Sequence, residues 1–165
     1  MSGRLKEEIQ QSKPFESLEE EVLLNLMRTG DALMREMTLA LKSYGLSPTQ
    51  YNVLRILRGA GESGLACGSI AERMLTRDPD ITRMLDRLEK RALITRARES
   101  RDRRVITARI APEGLNVLRA IDEESPRILK SMLGHMGERK LRKLSSLLEE
   151  ARCRAERNTS GSNLV

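Results

Sequence analysis

The sequence predicts a mainly α-helical winged helix-turn-helix fold with a two-stranded β wing, framed by N- and C-terminal dimerisation helices. The first indication is residues 93–110, LITRARESRDRRVITARI, where two short alternating runs flank a polar tip, as in a β hairpin. The second is residues 78–91, DPDITRMLDRLEKR, an amphipathic helical pattern that leads directly into this hairpin. A further short helix and a tight turn precede it, which completes the helix-turn-helix arrangement.

Composition and charge indicate the class of partner. Hydrophobic residues make up 39% and charged residues 33% of the 165 residues, as in a globular chain rich in amphipathic helices. The net charge is +6, and residues 76–110 hold eleven Arg or Lys against six Asp or Glu, a net of +5. Aromatic residues are only 2%, which disfavours binding by base stacking. A localised basic segment without stacking residues predicts double-stranded DNA as the partner.

The N-terminal segments are expected to serve dimerisation. Residues 1–16 are predicted to be a flexible or partly helical arm, and residues 17–45 a long helix that Ser17 and Glu20 begin as a capping box. This helix has one apolar stripe that includes Val22, Leu26, Leu33, Met37, Ala40 and Tyr44, and beside it a second of Leu23, Met27, Met34 and Leu41. Because so wide an apolar face exceeds what one small domain can cover, part of it is expected to meet a second subunit.

Residues 46–111 are predicted to form the winged domain. Ser47, Pro48 and Gln50 have the N-cap pattern of a helix that runs to about Arg58. Its expected buried residues are Tyr51, Leu54 and Leu57. The glycine-rich residues 59–64 are predicted to be a loop, and residues 66–75 a short helix with Ile70, Ala71 and Met74 inward. Asp78 is expected to cap the next helix, and its buried face would consist of Ile81, Met84, Leu85 and Leu88.

Residues 112–157 are predicted to be the C-terminal dimerisation helices. Pro112 is expected at a helix start, and Pro126 is expected to kink that helix because it lacks a backbone N–H. Gly137 separates the last helix, which is predicted to run to about Arg157. The polar residues 158–165 are expected to be a disordered tail.

Several functions are disfavoured by what the sequence lacks. No apolar run is long enough to cross a membrane and the N-terminus has no signal-peptide pattern, so we expect a cytoplasmic protein without membrane contact. Cys67, Cys153 and His135 are too few for a disulfide framework or a zinc site. No catalytic constellation, metal site or cofactor is expected, and the chain is predicted not to be an enzyme.

The order of elements and two motifs resemble the MarR family of bacterial transcription regulators. Asp102-Arg103-Arg104, with Gly114 ten residues after Arg104, resembles the wing motif of that family and the glycine of its next helix. Ile81-Thr82-Arg83, followed by Leu85, Leu88 and Glu89, is similar to its recognition helix. The resemblance covers residues 18–155. The chain departs from the family pattern at Ala111, where a capping Thr is usual, and at Ala92, where Gly is common.

The resemblance places DNA contacts on the recognition helix and the wing. Asp102 would orient Arg104 towards the minor groove, although an exposed salt bridge between them is the alternative. Arg101 and Arg103 would meet phosphates. The candidate contacts on and before the recognition helix are Arg77, Asp80, Thr82, Arg83 and Arg87. Asp80 would either pair with Arg83, which we favour, or accept a hydrogen bond from a cytosine amino group.

The predicted function is that of a homodimeric, sequence-specific regulator, a repressor on a pseudo-palindromic operator. The resemblance implies release by a small aromatic or phenolic effector, with Met34, Met37, Tyr51 and Met132 as candidate ligand-binding residues; adaptable core and dimer packing is their alternative role. Two other functions stay open. One is a winged-helix module for protein interaction, and the other is a redox-sensing regulator based on a cysteine such as Cys67.

Overall fold

The fold was analysed in a computed structural model that describes residues 4–76, 80–98 and 105–161, with side chains up to residue 153. The chain divides into two compact units, Met1–Glu123 and Glu124–Val165. The first unit contains the helix-turn-helix and the sheet, and the second is helical. Within the described residues, no helix is long and apolar enough to cross a membrane.

The N-terminal arm is partly helical, as predicted. Helix α1 is a single turn, Leu5–Glu8, and its Leu5 is buried. Helix α2 spans Leu18–Leu41 and ends in a 3₁₀ turn, Lys42–Tyr44. The expected capping box of α2 is only half present: Ser17 Oγ accepts from the backbone N–H of Glu20, but the Glu20 carboxylate accepts from that of Glu16. The glutamate reaches one residue further back, where the donor is equally free of helical bonds.

Helix α3 spans Pro48–Ala60 and has the complete capping box that the sequence predicts, formed by Ser47 and Gln50. Helix α4 is Cys67–Arg73 and helix α5 is Ile81–Lys90. The core joins these helices to the sheet through Val53, Leu54, Leu57, Ile70, Met84, Leu85, Leu88, Leu93, Ile94 and Ala108.

Three local predictions in this region need correction. Tyr51 packs against the core but is only half-buried. Ala71 is exposed, because the short helix α4 turns the side of Ile70 into the core. The described N-cap of α5 is Asp80, whose Oδ1 accepts from the backbone N–H of Arg83 at 3.4 Å. The expected cap, Asp78, lies outside the described residues.

Among the described residues, the sheet has three antiparallel strands in the order β1-β3-β2, one more than predicted. Strands β2, Ile94–Arg98, and β3, Ile106–Ile110, form the predicted hairpin, with Ile94 opposite Ile110 and Arg98 opposite Ile106. Strand β1 is Leu65–Ala66, directly after residues 59–64 that were expected to be a loop, and it includes Ala66, which was expected to begin the next helix. Two residues are too short to show an alternating pattern in the sequence.

Helix α6 spans Pro112–Leu133, with Pro126 inside it, and helix α7 spans Glu138–Gly161. Residues 158–161, expected in a disordered tail, thus continue the last helix, since extending a formed helix needs no new nucleus. Gly114 lies against the end of the winged domain: a Cβ there would stand 2.2 Å from the carbonyl oxygen of Leu93. That space explains the glycine at this position.

Candidate nucleic-acid interface

Helix α5, the predicted recognition helix, has two chemically different sides. Met84, Leu85 and Leu88 are buried against the core. The side chains that project away from the core and are exposed belong to Thr82, Arg83, Arg87 and Lys90. An amphipathic helix of ten residues is therefore anchored on one side and presents three cations on the other.

Asp80 and Arg83 form an ion pair at the N-terminal end of α5. Arg83 Nε lies 3.3 Å from Asp80 Oδ2, and the two side chains are 77% and 46% exposed. Of the two alternatives for Asp80, the structure contains the pair with Arg83. Because the pair is exposed, it contributes little to stability, but it orients the guanidinium of Arg83.

Arg96 on β2 holds the two carboxylates of α5 that face the sheet. Its Nη2 lies 2.5 Å from Asp86 Oδ1 and 2.7 Å from Glu89 Oε2, and its Nε donates to Glu89 Oε2 at 2.9 Å. The backbone N–H of Arg96 also donates to Glu89 Oε1 at 3.0 Å. Only 18% of the Arg96 side chain is exposed. We call Arg96, Asp86 and Glu89 the strand-helix clamp.

The strand-helix clamp changes the electrostatics of the helix. The hydrogen bond to Glu89 raises the pKa of Arg96. Burial opposes this effect, whereas the bond to Asp86 and the charges of both carboxylates add to it, and the pKa is raised overall. The guanidinium therefore remains charged and compensates the two carboxylates in part. As a result, the acidic residues of α5 are not left unpaired beside a polyanion.

The C-terminal end of α5 has the bonding of a Schellman motif. The backbone N–H of Ala92 donates to Glu89 O at 2.8 Å, and that of Leu93 donates to Leu88 O at 3.0 Å. Ala92 adopts a left-handed conformation with φ of 55°. Ala92 thus holds a position that suits glycine, and its left-handed conformation is strained.

The structure describes the base of the wing but not its tip. Arg98 is exposed at the end of β2, where the hairpin leaves the sheet. The predicted tip contacts Arg101, Asp102, Arg103 and Arg104, together with Arg77 before the recognition helix, lie outside the described residues. Their assignment stays a prediction.

The candidate effector residues are distributed over both compact units. Met37 and Tyr51 border the core of the first unit, and Met34 is 47% exposed on α2. Met132 is half-buried in the second unit. A shallow cavity of about 670 Å³ lies elsewhere in the first unit, between the strand-helix clamp and the start of α6. None of the four candidates lines it.

Cys67 is half-buried and its Sγ lies 3.6 Å from Ile106 O, while Cys153 and His135 are exposed. Among the residues that the structure describes, no three His, Cys, Asp or Glu side chains are grouped so as to hold a metal ion.

Sequence reasoning did not single out Arg96, although a signal was present. Residues 94 and 96 share one face of a strand, so Arg96 lies on the same face as the buried Ile94. A cation on a buried face requires acceptors, and Asp86 and Glu89 on the preceding helix could supply them.

Comparison with known proteins identifies the family. The family model described as "MarR family" matches residues 46–106, which lie in the winged domain. A MarR transcription factor from Planctomyces limnophilus, solved as a crystal structure, is 36% identical, with 82% of this chain and 98% of that chain covered and a TM-score of 0.65. The chain belongs to the MarR family. The predicted family and winged-helix fold are thereby confirmed.

Two other known proteins are similar to this chain. The HTH-type transcriptional repressor MdtR of Bacillus subtilis is 34% identical over 102 residues, which span 62% of this MarR-family chain and 64% of the repressor. The S. aureus MepR–DNA complex is 20% identical, with a TM-score of 0.69 over 78% of this chain and 95% of that one, and supports the fold alone. The family and MdtR are regulators of transcription, in agreement with the expectation that the chain is not an enzyme.

Proposed function

We propose that this MarR-family chain is a homodimeric repressor that binds a pseudo-palindromic site in double-stranded DNA. The observation that carries the proposal is the division of α5 into two sides. Thr82, Arg83 and Arg87 are exposed on a helix whose opposite side is buried. The carboxylates of the same helix that face the sheet are held by Arg96. This arrangement suits insertion into a groove lined by phosphates.

Each exposed residue of α5 has a proposed role. Thr82 and Arg83, near the N-terminal end of the helix, read base edges in the major groove, and Asp80 orients Arg83 through their ion pair. Arg87, one turn further along, binds a phosphate. Arg77 in the preceding turn and the wing residues Arg101, Arg103 and Arg104 complete the footprint, with Arg104 in the minor groove beside Asp102.

The most direct experiment is selection of binding sites from a pool of random duplexes, followed by affinity titration on the selected duplex. Arg83→Gln should weaken binding by about tenfold or more, because it removes a contact that depends on base identity. Arg35→Gln is the matched control, since Arg35 is also exposed and also pairs with an aspartate, Asp31 at 3.1 Å, but lies on α2. Equal losses in both variants would reject the proposed role of α5.

The proposed dimer is supported by the second apolar stripe of α2. Leu23, Met27 and Met34 are 58%, 65% and 47% exposed, although apolar side chains in such a continuous stripe are usually covered. A second copy of the chain would cover them. Replacing Leu23 and Met27 by glutamate should therefore give a folded monomer by sedimentation, whereas Asn25→Glu on the opposite side of α2 should remain a dimer.

We also propose that the protein represses transcription and that a small effector releases it from DNA. The selected site should overlap a promoter, and bound protein should lower transcription from it in a purified system. A small aromatic or phenolic effector would release the DNA, with Met37 and Tyr51 among the residues that contact it. Release by peroxide that is lost in Cys67→Ser would instead favour the redox-sensing function. Binding of a protein but of no duplex would favour the protein-interaction module.

A further inference from the structure

We propose that Arg91 is a positioning residue that fixes the recognition helix to the end of helix α2 and thereby sets the half-site spacing that the dimer accepts. The proposal rests on the proposed function, because it assumes that α2 carries the dimer interface and α5 the DNA contacts. Arg91 is the residue that follows the last turn of α5, and it is exposed. It is not among the predicted DNA contacts.

The guanidinium of Arg91 reaches across to the chain segment that ends α2. Its Nη1 donates to the carbonyl oxygen of Gly45 at 2.6 Å, and its Nη2 donates to that of Tyr44 at 3.2 Å. We call these two bonds the Arg91 bridge. They link residues 46 and 47 positions apart in the sequence.

The location of the bridge accounts for the choice of an arginine. The last carbonyl groups of a helix have no N–H donor within the helix, and they carry the negative end of its dipole. Here the C-terminal ends of two helical segments, α5 and the 3₁₀ turn Lys42–Tyr44, meet at one side chain. The cation stabilises the end of the 3₁₀ turn, and only the planar guanidinium of arginine can serve two neighbouring carbonyl groups at fixed angles.

Gly45 leaves room for this contact. It adopts a left-handed conformation with φ of 64°, and a Cβ there would stand 3.2 Å from Arg91 Nη2. The same segment is held from another direction, because the Tyr44 hydroxyl donates to the carbonyl oxygen of Ala120 on α6 at 3.4 Å. The acceptor side of the bridge is therefore itself held in place.

The Arg91 bridge restricts the rotation of α5 relative to α2, which the apolar core constrains less. Met84, Leu85 and Leu88 set how deeply α5 lies against the core, but apolar packing is not directional. Hydrogen bonds at one end of the helix restrict its rotation relative to α2. In a dimer, the orientation of each recognition helix relative to α2 determines the separation of the two recognition helices, and hence the operator spacing.

The test measures affinity for a series of duplexes in which the selected half-sites are one base pair closer, at the selected distance, or one base pair further apart. We expect the wild-type protein to lose about tenfold in affinity at each altered spacing, since a base pair turns one half-site around the duplex axis. In Arg91→Met, we expect this loss to shrink to about threefold or less, with a smaller affinity at the selected spacing.

Two further variants separate positioning from charge and from stability. Arg119→Met removes an exposed cation of α6 that takes no part in the Arg91 bridge, and it should keep the wild-type spacing preference. Arg91→Lys keeps the charge but cannot serve both carbonyl groups at fixed angles, so it should give an intermediate preference; it carries the test if Arg91→Met does not fold. A wild-type spacing preference in folded, dimeric Arg91→Met and Arg91→Lys would overturn the proposal. Failure of the wild-type protein to bind any duplex would instead overturn the proposed function.

Discussion

Charged side chains have different surroundings on the two sides of the recognition helix α5. On the side towards the sheet, Asp86 and Glu89 are bound by Arg96, whose side chain is only 18% exposed. On the side away from the core, Arg87 and Lys90 are exposed, and Arg83 is paired with the exposed Asp80. One side therefore uses charge to join the helix to the wing, and the other leaves charge available to a partner.

This difference shows why net charge alone describes the helix poorly. Within Ile81–Lys90 there are three cations, Arg83, Arg87 and Lys90, and two carboxylates, Asp86 and Glu89, which would suggest a weakly basic surface. The strand-helix clamp pairs both carboxylates with Arg96, although their side chains remain 44% and 37% exposed. The exposed side is consequently more basic than the helix as a whole.

The largest effect is expected for Arg96→Met, which breaks the side towards the sheet. Two carboxylates would lose their common partner while partly buried, so we expect the free energy of unfolding to fall by about 2 kcal/mol, measured by urea denaturation. Arg98→Met, on the same face of β2 but exposed, is the control and should change stability by less than about 0.5 kcal/mol. Similar values for both variants would mean that the clamp contributes little.

The clamp should also be insensitive to pH around neutrality. A base whose pKa is raised on folding contributes its stability fully below its ordinary pKa and loses it only as the pH rises through the raised value. Because the pKa of Arg96 is raised above the already high value of a guanidinium, its charge persists throughout the neutral range. The stability difference between wild type and Arg96→Met should therefore stay constant between about pH 6 and about pH 9.

The exposed side should show the reverse pattern. Arg87→Ala is expected to lower affinity for the selected duplex by about tenfold while leaving the free energy of unfolding within about 0.5 kcal/mol of wild type. Arg119→Ala, an exposed arginine on α6, serves as the control for loss of one charge and should bind nearly as wild type. A destabilised Arg87→Ala would show that the two sides are not independent.

The smallest effect is expected at the end of the helix, where both sides meet the strand. Ala92→Gly relieves a left-handed alanine, and the gain exceeds the added flexibility of the unfolded chain by about 0.5 kcal/mol. Thermal unfolding should therefore occur at a slightly higher temperature. A lower midpoint would indicate that the methyl group of Ala92 contributes packing that the glycine loses.

Local patterns in the sequence were sufficient for the elements that follow a period or a cap. The hairpin of β2 and β3 and the capping box of Ser47 and Gln50 were predicted and are present. Strand β1 was missed because it has only two residues and depends on pairing with β3, which lies about forty residues away in the chain. Side-chain partners across such distances have no local signal.

The same limit applies to the candidate site. The exposed cations of α5 follow from its helical period, but the bond from Arg91 to Tyr44 and Gly45 depends on how two helix ends meet. The predicted N-cap of α5 was Asp78, two residues before the described N-cap Asp80. Both aspartates are acceptable caps, and the sequence does not distinguish them.

The central claim is that the exposed side of α5 binds the phosphates and bases of duplex DNA. Its most direct test is the salt dependence of affinity for the selected duplex, measured for wild type and for Arg83→Gln combined with Arg87→Gln. We expect the wild-type affinity to fall by about three orders of magnitude between about 50 mM and about 200 mM salt, and the logarithmic slope of the variant to be shallower by about 2, since each dimer loses the two phosphate contacts of Arg87. Equal slopes for the two proteins, or an affinity that salt does not change, would contradict the claim.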